Sequence, residues 1–145
     1  MFNLKKLTGF LGDSANKFSG NTDFLEGACA LCALVAAADG SVDDDEIVSA
    51  IAAVKANKTI SDSFSTSQIE STMDTMLTRV STRTGRISLW DELKDIGADG
   101  ELGQVVVACG VEVADADGDV DDAEMKVLKK AGSMFGVNVE ELLEI

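Results

Sequence analysis

An acidic segment written twice constrains this chain more than any other feature. Residues 114–124 read Ala-Asp-Ala-Asp-Gly-Asp-Val-Asp-Asp-Ala-Glu, and residues 36–46 read Ala-Ala-Ala-Asp-Gly-Ser-Val-Asp-Asp-Asp-Glu. Asp39, Gly40, Val42, Asp43, Asp44 and Glu46 thus recur as Asp117, Gly118, Val120, Asp121, Asp122 and Glu124, at a constant offset of 78 residues. Each copy follows an apolar run (28–38 and 105–116) and leads into another (47–54 and 125–135). Apolar runs of this length around a glycine-bearing polar elbow predict an internally duplicated helix-elbow-helix unit, spanning about 24–57 and 102–135.

The rest of the chain fits the same expectation. At 145 residues it has the length of a single domain, 1–145, with enough chain to bury a substantial core. Its aliphatic content is mostly alanine and valine with few aromatics, which favours closely packed helices. The expected fold is all-α, a compact bundle of about seven or eight helices. Asp23 and Glu26 have capping-box spacing and would open a helix running to about residue 38; Ser65 and Gln68 repeat that signature. Ile69, Met73, Met76, Leu77 and Val80 then form a helical stripe of core residues. A polar connection at 81–85 leads to Ile87, Leu89, Trp90, Leu93 and Ile96, with Trp90 expected as a core anchor. The valines at 105–107 could form a strand. Helix is the better assignment, because Val106, Cys109, Gly110 and Val113 continue a helical stripe. Asn138 and Glu141 predict a short capped C-terminal helix. Residues 1–19 place Leu4, Leu7, Phe10 and Leu11 around Lys5 and Lys6, an amphipathic helix or arm expected to pack on the body rather than to anchor in a membrane.

Charge is distributed unevenly. Of the net −14, residues 39–46 carry five acids and residues 112–124 carry seven, with no Lys or Arg among them; elsewhere 14 acids face 12 bases. Carboxylates crowded in this way repel one another, and a bound cation relieves that repulsion. The same balance argues against nucleic acid as a partner, since duplex affinity rests on neutralising phosphates. Cys29, Cys32 and Cys109 lie in apolar runs, and no signal peptide or spanning stretch is evident. The expectation is a cytoplasmic protein with no direct membrane insertion and with buried structural thiols. Cys29-Ala-Leu-Cys32 spells C-x-x-C but opens no βαβ unit. Histidine is absent from the chain, so no Ser/His/Asp or Cys/His constellation can form, and no phosphate-binding glycine loop is present. These absences point to a non-enzyme without an organic cofactor.

The acidic elbows remain as the chemistry-bearing feature. A calcium loop draws oxygen ligands from positions 1, 3, 5, 7, 9 and 12, with glycine at 6. With Glu124 at position 12, Asp121, Asp119, Gly118, Asp117 and Asp115 fall at 9, 7, 6, 5 and 3, but Val113 occupies position 1. In the first copy Glu46, Asp43, Val42, Ser41, Gly40 and Asp39 fit 12, 9, 8, 7, 6 and 5, while Ala37 and Val35 stand at 3 and 1. Neither copy is an EF-hand; each is a shortened elbow offering a few protein oxygens. Carboxylate and carbonyl donors suit Ca²⁺ or Mg²⁺. A simpler reading makes Asp43/Glu46 and Asp121/Glu124 capping boxes, with Gly40 and Gly118 ending the preceding helices. Caps do not account for Asp115, Asp117 and Asp119 crowded beside Asp121 without a basic neighbour.

The doubled Asp-Gly-x-Val-Asp-Asp-x-Glu elbow, each copy after an Ala/Val/Cys-rich helix, resembles the TerB tellurite-resistance family. The likeness runs from the Lys-containing N-terminal segment through Phe24-Leu-Glu-Gly-Ala-Cys-Ala and both elbows to Phe135-Gly-Val. It implies an all-helical cytoplasmic protein of tellurite-resistance and stress operons, associated also with phage and colicin resistance. It implies divalent-metal binding, Ca²⁺ favoured over Mg²⁺, and work with protein partners such as a membrane-bound TerC-like protein, hence a peripheral place at the inner membrane. By position the implied ligands are Asp39, Asp43, Glu46, Asp117, Asp121 and Glu124. Two rival readings stand beside a cation-binding adaptor: a metal-free protein-interaction module, and a thiol-dependent enzyme acting on tellurium oxyanions through Cys29 and Cys32.

Overall fold

The computed structural model describes residues 15–116 and 118–145. Among them are nine helical segments and no strand: α1 (Ala15–Phe18), α2 (Thr22–Ala36), α3 (Asp44–Ala56), α4 (Lys58–Ser63), α5 (Thr66–Arg79), α6 (Arg83–Lys94), α7 (Gly100–Asp115), α8 (Asp122–Phe135) and α9 (Val139–Leu143). The all-helical expectation holds, including the helical valines at 105–107, which are buried inside α7. The amphipathic segment expected at 1–19 lies mostly outside the described residues.

The core is built around α2. From Phe24 to Val35 every residue except Glu26 is buried, so this helix is apolar on all sides and must be covered on all sides. Helices α5, α6 and α7 supply most of that cover, with α3 and α8 adding to it. Small residues allow the close approach: at Gly110 of α7 an added Cβ would stand 2.9 Å from Leu31 Cδ2 of α2. Long stretches of two helices can therefore touch without large side chains holding them apart. Phe18 of α1 closes one end, its ring edge-on to Phe24 with centroids 5.0 Å apart.

Caps define most boundaries as the sequence predicts. Ser65 and Gln68 form a reciprocal capping box, and Asn138 accepts from the Glu141 N–H at 3.2 Å. Three details differ. The cap of α2 is Asn21, which accepts from the Phe24 N–H at 3.0 Å and donates to the Lys17 carbonyl, fixing α1 to α2 as a carboxylate could not. Asp23 instead lies in the first turn, where the helix dipole favours an acid. The connection expected at 81–85 is shorter, because Thr82 caps α6 by accepting from the Gly85 N–H. Gly85 belongs to that helix, where the Arg79 carbonyl leaves no room for a Cβ. Trp90 is half-buried at the core margin, with Lys130 Nζ 4.1 Å from its ring centroid, a cation–π contact rather than a central anchor.

The packing order places the elbows. Residues 37–43 join α2 to α3 and residues 116–121 join α7 to α8. Not only do α2 and α7 pack together; α3 also packs on α7, and α8 on α2. Each elbow therefore turns beside the other.

Candidate metal centre

Both elbows are built by the same local physics. Asp43 and Asp121 cap α3 and α8 in extended conformation, with φ/ψ of −86°/173° and −82°/173°. Each accepts from the N–H three residues on, at 2.8 Å from Glu46 and 2.7 Å from Glu124. Each glutamate reaches back to the cap N–H, completing a capping box. Gly40 and Gly118 have φ of +116° and +104°, a backbone region that side chains rarely adopt, which is why glycine recurs at the bend. Their N–H groups donate to Ala37 and Asp115 carbonyls at 3.0 and 2.9 Å.

Beyond this local likeness, the tertiary fold brings the two elbows to one cavity of about 320 Å³, lined by Val35, Ala36, Asp39, Glu46, Asp119, Asp121 and Glu124. Of the residues expected from the sequence, Asp39 and Glu46 come from the first elbow and Asp119, Asp121 and Glu124 from the second. Asp43 caps α3 and Asp115 ends α7, and neither lines the cavity. Asp117 lies outside the described residues. Val35 and Ala36 had no sequence signal as site residues; they enter as the last turn of α2, whose negative dipole end adds to the attraction for a cation.

The donor set is all oxygen. No histidine exists in the chain, and the three thiols lie within the core. Five carboxylates around one cavity match the chemistry of a hard divalent cation. Among the described residues, no three acidic or thiol side chains stand close enough to hold an ion as placed. Coordination would therefore require the carboxylates to draw inward or water to complete the shell. Glu124 is 7% exposed whereas Glu46 is only half-buried. Desolvation is the main cause that raises the Glu46 pKa; the Asp43 N–H opposes it, and the charges of Asp43 and Asp39 add to it.

A family model described as Tellurite resistance protein TerB matches residues 25–145, from the first turns of α2 through α9. The chain belongs to the TerB family. Comparison with curated proteins and with solved structures gave no significant match. In this TerB-family chain the acidic elbows lie inside the matched region, and so do all three cysteines. Cys29, Cys32 and Cys109 are fully buried, and burial pushes the Cys29 thiol far above its ordinary pKa. Such a thiol is a poor nucleophile. No described helix is long and apolar enough to cross a membrane.

Proposed function

We propose that this TerB-family chain is a non-enzymatic, divalent-cation-binding adaptor in tellurite resistance and stress response, working in the cytoplasm through protein partners, among them a membrane-bound TerC-like protein. The observation that carries the reading is a cavity lined by carboxylates of both elbows. One ion shared between the elbows would relieve the repulsion of two acidic segments at once. Ca²⁺ is favoured over Mg²⁺: oxygen donors on two separate elbows, not held at ligating distance, suit an ion that takes six to eight ligands in flexible geometry better than one demanding a tight octahedron. Calorimetric titration of the full chain with Ca²⁺ and with Mg²⁺ tests this. The expected result is one Ca²⁺ per chain, weaker Mg²⁺ binding, and loss of the event in both Asp39→Asn and Asp119→Asn. No heat with either ion at millimolar concentration would overturn it.

A second reading has its own support. Asp43, Glu46, Asp121 and Glu124 already satisfy helix termini, so the elbows could act as caps on a metal-free interaction module. Asp119 separates the readings, because it caps nothing yet lines the cavity. If the elbows are caps alone, Asp119→Asn leaves any cation response unchanged. A thiol-dependent enzyme acting on tellurium oxyanions is disfavoured by the burial of Cys29 and Cys32.

A further inference from the structure

The cation reading makes no use of the cysteines, yet two of them are in contact. Cys32 Sγ of α2 stands 3.4 Å from Cys109 Sγ of α7, across 77 residues of sequence, with both side chains fully buried. The neighbouring pair, Leu31 and Gly110, shows why the sulfurs meet: a glycine on α7 lets the two helices approach at this level. A disulfide usually spans about 4.4–6.8 Å between Cα atoms, and the close approach of α7 to α2 at Gly110 draws the two backbones together beside the sulfurs. Closing the remaining gap to a bond of about 2.05 Å is a small movement of two side chains.

We propose that Cys32 and Cys109 form a reversible intramolecular disulfide, a redox modification site joining the two helices that lead into the acidic elbows. The reaction balances with a two-electron oxidant such as hydrogen peroxide. One thiol loses its proton, and its sulfur attacks a peroxide oxygen; the O–O bond breaks, leaving a sulfenic acid and a hydroxide that takes up the proton as water. The second sulfur then attacks the sulfenic sulfur, forming the S–S bond as a second water leaves. Two thiols are oxidised and one peroxide is reduced to two waters. Burial disfavours the thiolate, so bond formation is slow and follows brief separation of α2 from α7. Cys29, one turn earlier on α2, is the bystander.

The test exposes the full chain in native buffer to excess hydrogen peroxide, then unfolds it in the presence of an alkylating reagent and maps the peptides. The expected product is an intramolecular link between the peptides carrying Cys32 and Cys109, with one alkylatable thiol left at Cys29. The linked protein should unfold about 5–10 °C higher, an increment removed by dithiothreitol. Cys29→Ala should give the same link and Cys109→Ala none; should the latter fail to fold, the wild-type peptide map decides. The exposure is repeated in mild urea, which speeds the separation of α2 from α7; three thiols still free after prolonged exposure under both conditions, a link that includes Cys29, or over-oxidation without a link would each overturn the proposal. None of these outcomes depends on whether the elbows bind a cation.

Discussion

The two elbows share a motif and a backbone but not an environment. In the second, Glu124 is 7% exposed and accepts from the Asp121 N–H at 3.0 Å; in the first, the half-buried Glu46 accepts from Asp43 at 3.4 Å. Sequence adds Asp115 and Asp119 to the second copy, but only Asp119 lines the common cavity. The difference teaches that a local motif sets the shape of a turn, while the helices around it decide how much its side chains matter. Glu124 is embedded and sits closer to its cap N–H; Glu46 is the more open of the two.

The largest effect expected is ion-linked. At a hundredfold excess over its Kd, Ca²⁺ should add about 2.7 kcal/mol to the unfolding free energy. Urea titrations with and without the ion should show that increment lost in Asp119→Asn and in Asp39→Asn alike. If Asp39→Asn keeps it, the elbows act separately and the shared cavity is not the binding unit.

Next come the capping glutamates, measured with divalent ions chelated. Glu124→Ala should cost about 2 kcal/mol, since it empties a buried position and breaks a capping box. Glu46→Ala should cost about half as much, because its side chain is less buried than that of Glu124 and its bond to the cap N–H is longer. Equal losses would remove the distinction drawn from burial. Gly40→Ala and Gly118→Ala, in contrast, should destabilise by similar amounts, about 1–2 kcal/mol each, as both impose a side chain on positive φ. Thermal midpoints that differ widely between these two variants would mean that the elbow backbones are not equivalent.

The smallest effect is a pH dependence. Glu46 has a folded pKa raised above its unfolded value, chiefly by desolvation. In the window between the two values the folded state holds more protons, so stability falls as pH rises through it and recovers as pH drops below. Glu46→Gln should flatten that slope just above the ordinary carboxylate range, in chelated buffer. An unchanged profile would assign the slope to other carboxyls. Glu26 is one such group, its pKa raised by burial and then by the charge of Glu92.

Much of this molecule was legible in the chain because its signals are local. A capping box needs only residues three apart, so Ser65/Gln68, Asp43/Glu46 and Asp121/Glu124 could be read directly. Asn21 displaced Asp23 as a cap through an equally local contact, since its amide also donates to the Lys17 carbonyl four residues earlier, so two local signals competed there. Trp90 answers to something distant: at the core margin it meets Lys130 on another helix.

By itself, then, the sequence determined the all-helical class, most of the longer helices and several of their caps, the bend at each elbow glycine and the two concentrations of negative charge, since these follow from propensity, spacing and composition. Only the tertiary structure decided that the elbows face one cavity, that Asp119 rather than Asp115 lines it, and that Cys32 rather than Cys29 meets Cys109. Those outcomes depend on how α2 and α7 cross and how α3 and α8 fold back over them. Such packing is fixed by the fit of small and large side chains across the whole core, which no short stretch of residues encodes.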